Sequence, residues 1–214
     1  EISECLVGSE MCIRDRLQLS CTQKPASHDR QNGSKRCHGK GDFGMKVAMI
    51  GHKDFPSRSG GVEVMVGGLA TSLVRRGYEV TVYNRGLQKG HNVYTTEGVQ
   101  ARRIFTFQKA SLNAMVYSFL ATFDALTRDC DVIHYHAIGP SVPLVIAKLF
   151  GKHTVCTVHG LNWKVDKWGG FASAYLKLGE RVAAKYADDL VVLSESEWNY
   201  FQEKYDRTAI LIPN

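Results

Sequence analysis

From position 46 onward, apolar runs of strand length alternate with apolar stripes of helical period, and this alternation limits the fold more than any other feature. Lys46–Gly51 (KVAMIG) is a short apolar run with a turn after it. Val62, Met65, Val66, Leu69 and Leu73 then recur at helical spacing, with Gly77 as a C-terminal stop. Glu79–Asn84 (EVTVYN) is β-branched and aromatic, hence a strand. Val99–Phe107 is a weaker strand signal, and Leu112, Met115, Val116, Phe119, Leu120, Phe123 and Leu126 form a wide stripe on a long helix. The pattern continues with strands at Asp131–His136, His153–Val158, Leu190–Leu193 and Ala209–Ile212. Helices are expected at Ser141–Phe150, Phe171–Tyr186 and Glu195–Tyr205. Such alternation predicts an α/β domain, a Rossmann-like parallel sheet with helices on both faces. Ligands of such sheets bind outside the carboxyl ends of the strands, so function is sought in the loops that follow them.

Residues 1–44 are different material. They are rich in Ser, Gly, Gln, Lys and Arg and cannot bury enough apolar surface to offset their ordering entropy. They lack the apolar run of a secretory signal. Cys21, Cys37 and His38 lack the paired spacing of a zinc site. CLVGSEMCIRDR (5–16) resembles a translated sequencing-library transposon adapter, so residues 1–16 read as artefact and 17–44 as translated upstream sequence. The natural start is then expected at Met45. Four of the six cysteines fall in the leader, leaving Cys130 and Cys156, a usage that suits a reducing cytoplasm. From Met45 the net charge is 20 Lys+Arg minus 15 Asp+Glu, or +5, against +6 for all 214 residues. No apolar run reaches the length of a membrane span.

Three loops carry the unusual residues. In GHKDFPSRSGGVE, Gly60 and Gly61 precede a helix start with Ser59 as N-cap. Exposed N–H groups and the helix dipole there suit a phosphate or pyrophosphate, the alternative being a flexible connection. Neither the G-x-G-x-x-G nor the G-x-x-x-x-G-K-[ST] pattern is present, and the second strand ends at Asn84-Arg85 rather than at an acidic residue. NAD chemistry and P-loop hydrolysis therefore lose support. Gly67 and Gly68, inside the helix, read as packing glycines. His134 and His136 share one face of a strand, with His136 expected to face the cleft. As a metal pair they would need a third ligand, which only His159 could supply from an adjacent strand. His159, followed by Gly160 at a strand's end, is placed either for catalysis and sugar hydrogen bonding or as a satisfied structural histidine. Asn162, Trp163, Asp166 and Trp168 mix aromatic faces with fixed hydrogen-bonding groups, as a carbohydrate pocket does, or else cover the sheet edge. No nucleophile elbow and no H-E-x-x-H occurs. Lys164, Lys167, Lys177, Arg181 and Lys185 form either a solvated helix face or a patch for anionic membranes or phosphate-bearing substrates.

The stretch MKVAMIGHKDFPSRSGGVEVMVGGLATSLVRRGYEVTVYNR resembles the opening of glycosyltransferase family four, retaining nucleotide-sugar enzymes of GT-B fold. The likeness continues through DVIHYHAIGPS and TVHGLNW to IPN and covers Met45–Asn214. Bacterial rhamnosyl- and related transferases of surface-polysaccharide synthesis are similar. The resemblance implies that Gly60 and Gly61 lie against the donor phosphates, with Glu63 starting the helix beneath them. It makes His159 the catalytic residue at the donor sugar and puts His136, Asn162 and Trp163 on the acceptor side. It implies a nucleoside-diphosphate sugar as substrate, a glycan or lipid-linked saccharide as acceptor, and neither metal nor cofactor. Nucleic acid is not expected as a partner. The expected location is cytoplasmic, with peripheral contact at the inner face of an anionic membrane. Family members have two Rossmann-like domains, so residues 45–214 are expected to be the N-terminal, acceptor-side half, truncated before the second domain and inactive alone. The reading kept open beside it is a non-catalytic sugar- or nucleotide-binding module.

Overall fold

A computed structural model of the protein describes residues 44–86, 93–107, 110–161 and 170–213, with 110–112 as backbone only. The elements run β1 (Lys46–Ile50), α1 (Gly61–Arg75), β2 (Glu79–Gly86), β3 (Val93–Thr96), β4 (Val99–Phe105), α2 (Ala110–Thr127), β5 (Val132–His136), α3 (Leu144–Leu149), β6 (His153–Thr157), α4 (Gly170–Tyr186), β7 (Asp189–Val192), α5 (Glu195–Tyr205) and β8 (Ile210–Leu211). They form one eight-stranded sheet in the order β3-β4-β2-β1-β5-β6-β7-β8. All neighbours are parallel except β3 and β4.

The fold is an α/β Rossmann-like sheet with helices on both faces. Period-two alternation splits the side chains of the central strands between two cores. Val47, Met49, Val80, Val82, Val132 and Val155 pack with Val66, Leu69 and Leu73 of α1. Ala48, Ile50, Ile133, Tyr135, Cys156 and Leu190 pack on the other face with Tyr117 of α2, Leu144 of α3, Ala183 of α4 and Phe201 of α5. Burial on both faces makes these strands apolar throughout, as parallel sheets require.

Strand β3 has no counterpart in the sequence expectations. Its sequence, VYTT, is half-exposed at the sheet edge and shows no apolar alternation. It is held by a tight turn in which Glu97 and Gly98 both take positive φ, 52° and 79°, the geometry that suits a two-residue hairpin. Helix α3 is also shorter than expected, because residues 141–143 form turns rather than helix. Ser59 does not cap α1: its hydroxyl pairs with Ser57, and extended Gly60 stands at the cap position with no side chain on the helix N–H groups. By contrast, Ser194 caps α5 by accepting from the Glu197 N–H, while Glu197 accepts from the Leu193 N–H. Gly67 lies at ordinary contact distance from the Phe55 ring, and Gly68 faces open space, so the packing expected of Gly68 is absent.

The chain leaves β1 for β2 on one side, and β5 enters on the other side of β1. This reversal opens a crevice at the carboxyl ends of the strands.

Candidate functional site

A cleft of about 880 Å³ occupies that crevice. Gly51 and Lys53 after β1, Gly60 to Glu63 at the start of α1, and Ala137, Gly139 and Pro140 after β5 contribute to its lining. Arg85, Gly86, Arg103, Thr106 and Asn113 form the flank beyond β2 and β4. Gly60, Gly61 and Glu63 thus share one wall. The first N–H groups of the 15-residue α1 have no side-chain cap, and the dipole makes that end favourable for an anion. Gly60 also makes room: a Cβ there would stand 2.4 Å from Glu63 Oε2. Glu63 is buried, and its Oε1 accepts the Lys53 N–H at 3.2 Å, tying the β1–α1 loop to the helix.

Beneath this wall lies a group of imidazoles. His134 and His136 stack with ring centroids 4.1 Å apart, and His136 Nδ1 meets His159 Nε2 at 3.4 Å. His134 Nε2 reaches the Thr157 hydroxyl at 2.8 Å. The expectation that His136 faces the cleft is corrected here. Its side chain has no exposure and is enclosed by its neighbours, because residue alternation along β5 turns it into the α1 face of the sheet. His159, on the segment after β6, is half-buried. Neither histidine is among the residues lining the cleft, although Ala137 and Glu63, which adjoin them in sequence and in charge, are.

Burial holds these rings neutral. It lowers His134 to about 3 and His159 to about 4, and the neighbouring histidines push His136 well below its ordinary value after burial has done so. Hydrogen-bond accounting then assigns tautomers. His136 Nε2 is buried with no partner. An orphaned buried N–H is the rarer state, so Nε2 bears the lone pair and Nδ1–H donates to His159 Nε2. His159 consequently carries its proton on Nδ1, a nitrogen with no bond among the described residues. His52, lowered by burial to about 4, is fixed in the same manner. Asn84 spends its amide on the Phe55 carbonyl and Tyr94 hydroxyl, so its Oδ1 accepts His52 Nε2–H at 2.9 Å.

Among the described residues no three His, Cys, Asp or Glu side chains converge as a metal site. None of the described helices is long and apolar enough to cross a membrane. Asn162 and Trp163 lie outside the described residues, as do Asp166, Trp168, Lys164 and Lys167. Lys177, Arg181 and Lys185 are exposed on α4.

Residues 59–214 match the sequence model of Glycosyltransferase Family 4, a span that takes in every described helix. The chain belongs to this family. Sucrose-phosphate synthase from Thermosynechococcus elongatus has a similar fold, with a TM-score of 0.60 at 16% identity over 79% of this chain and 48% of that one. A second, shorter chain of that synthase gives 0.55 at 14% identity over 80% of this chain and 88% of its own. Identities this low speak for the fold alone. The present chain spans about half the length of the longer synthase chain. No curated protein sequence matches it.

The sequence reading of this family 4 chain did not single out Lys53, Arg85, Arg103 or Asn113 as site residues. A signal existed for two of them: Lys53 lies in the loop after β1 that the sequence marks out. Arg85 is a cation at the carboxyl end of a strand, where a side chain projects into the crevice. Arg103 and Asn113 carry no such mark and reach the cleft only through the pairing of β4 with β2 and the docking of α2.

Proposed function

We propose that residues 45–214 are the acceptor-side half of a retaining glycosyltransferase, which moves a hexosyl or rhamnosyl group from a nucleoside diphosphate to a glycan or lipid-linked saccharide. The observation that carries this reading is the uncapped start of α1 at Gly60 and Gly61, set in the cleft where the strand order reverses. Free backbone amides and a helix dipole stabilise a departing pyrophosphate by preorganised electrostatics, and this reading asks for neither metal nor cofactor. His159 Nδ1–H is the donor available to a sugar hydroxyl, and Asn162 and Trp163 belong to the acceptor side. A second domain completes the donor site, so the chain alone binds without transferring. The exposed cations of α4 suit contact with an anionic membrane surface, in keeping with a cytoplasmic bacterial enzyme of surface-polysaccharide synthesis, which the sequence resemblance implies.

The test is sugar transfer by the enzyme carrying both domains. His159→Ala should lower the rate by about 100-fold or more, the scale of one lost transition-state hydrogen bond in a dry site. Its melting temperature should move by only a few degrees. A variant as active as the parent removes His159 from the site. Proton NMR of the first-formed product should show the anomeric configuration of the donor, and an inverted product overturns the retaining reading.

A further inference from the structure

We propose that Asn84 is a positioning residue: it holds the loop after β1 in the one path that presents the first amides of α1 to the donor. The purpose of that hold rests on the donor reading of Gly60 and Gly61; the hold itself rests on hydrogen-bond geometry. Asn84 alternates with Val80 and Val82 along β2, so its side chain enters the α1 face of the sheet, where those two valines are core. The amide has no exposure there. Both of its N–H groups are spent on protein. One donates to the Phe55 carbonyl at 2.8 Å and the other to the Tyr94 hydroxyl at 2.8 Å. Tyr94 donates in turn to the same Phe55 carbonyl, which closes a ring of bonds between loop, β2 and β3. Asn84 Oδ1 accepts from His52 Nε2–H at 2.9 Å. A single side chain thus grips the loop at both His52 and Phe55.

Further contacts pass the hold to the helix. The Phe55 ring is buried in one core with Val66 and Leu69 of α1, and a Cβ on Gly67 would stand 3.6 Å from it. Between the two gripped residues, the Lys53 carbonyl accepts the Arg85 N–H at 2.9 Å, and the Lys53 N–H donates to Glu63 Oε1 at 3.2 Å. Residues 56–60 are exposed or half-buried, so the buried residues before them, Gly51, His52 and Phe55, set the path that reaches Gly60. A buried amide carries a desolvation cost that a third valine would not. What it adds is a unique arrangement, because its bonds are all met in only one path of the loop. Asn84 is not among the residues lining the cleft. With its donors committed to protein, it acts through the loop and not on the ligand.

The test is nitrogen-15 NMR of the 214-residue chain titrated with uridine diphosphate and read at the Gly60 and Gly61 amides. Asn84→Asp keeps the shape but turns the donors into acceptors facing the Phe55 carbonyl. Tyr94→Phe removes one hydroxyl from a half-buried edge strand, and it decides alone if Asn84→Asp does not fold. Phe201→Leu, in the core on the opposite face of the sheet, is the control for lost stability. A loop that holds the binding path for only part of the time weakens a ligand by that fraction. Tyr94→Phe should raise the dissociation constant about threefold or more and Asn84→Asp about tenfold or more, and both should shift the ligand-free Gly60 and Gly61 signals. Phe201→Leu should change neither. In the two-domain enzyme the two loop variants should raise the donor KM and leave kcat within about twofold. Unchanged affinity and unchanged amide signals in both variants overturn the proposal, as does an equal effect of Phe201→Leu. If the parent amides do not respond to uridine diphosphate, the donor reading fails. The hold then stands or falls on whether the loop variants, and not Phe201→Leu, move the ligand-free signals.

Discussion

At the scale of single residues, the decisive contact is between His136 and His159. A fully buried ring with one unmatched nitrogen has little freedom in where it keeps its proton. It therefore sets the tautomer of the half-exposed ring it touches, and we propose that His136 positions His159. His136→Phe keeps a ring of similar shape but removes the donor. Nitrogen-15 NMR of the parent chain should show His159 as the Nδ1–H tautomer, and His136→Phe should return it toward the Nε2–H form that dominates in free histidine. In the two-domain enzyme the same change should lower kcat about tenfold with little effect on KM, and an unchanged tautomer and rate contradict the role. Gly51 is constrained as tightly. Its φ is +131°, and a Cβ would stand 2.0 Å from the His136 carbonyl oxygen. Gly51→Ala should cost about 3 kcal/mol or more, read by chemical denaturation, because strained backbone and sheet must both give way.

At the scale of elements, α4 is seated by a glycine and a carboxylate. A Cβ on Gly179 would meet the Ile138 carbonyl oxygen at 1.9 Å, so helix and loop backbones touch directly. The Ser141 hydroxyl lies within hydrogen-bond distance of both carbonyls, 2.7 Å from Ile138 and 3.1 Å from Gly179. Next to it, fully buried Glu180 accepts from Tyr200 and Lys204 of α5 at 2.8 Å each and from Tyr205 at 2.5 Å. Its charge is thus matched, as a buried carboxylate requires. Gly179→Ala should destabilise the chain by about 1–3 kcal/mol through overpacking, measured by urea denaturation. A neutral effect would mean that α4 can slide on the β5–α3 loop. Strand and helix periods in the sequence were enough to place α4 and α5, whose observed bounds differ from the expected ones by a residue or less. The periods could not reveal β3, which is stabilised by pairing with β4 rather than by an apolar pattern of its own.

At the scale of the whole molecule, the buried histidines make stability depend on pH. His52 and His134 are held by burial to about 4 and about 3, and His136 lies well below its ordinary value. In the unfolded chain each titrates near 6.5, so between that value and the folded one the unfolded state binds more protons. Their contribution is fully present above about pH 6.5 and drains as the pH falls, at up to about 1.4 kcal/mol per pH unit for each ring. Near pH 5 His52 and His134 together approach about 3 kcal/mol per unit, a large part of the 5–15 kcal/mol of a typical domain, and His136 acts in the same direction. Asp124 and Asp188 act lower. Burial alone would raise both, but hydrogen bonds from Arg128 and Tyr83, and from Lys148 and Thr154, prevail and hold them below the usual carboxylate value. Their contribution is present above about pH 4 and is lost below it. Calorimetry from pH 8 down to 4.5 should therefore show the melting temperature begin to fall just under 6.5. A flat profile to 4.5 contradicts neutral burial of the histidines. The sequence by itself determined the alternation of elements, the loops after β1 and β5 that border the cleft and the glycines at the start of α1, because strand and helix periods and turn residues are local signals. Only the tertiary structure decided that His136 is enclosed, that β3 exists, and that Arg85 and Arg103 meet on one flank of the cleft. Those outcomes depend on which distant strands pair and in what register, and no local period encodes that.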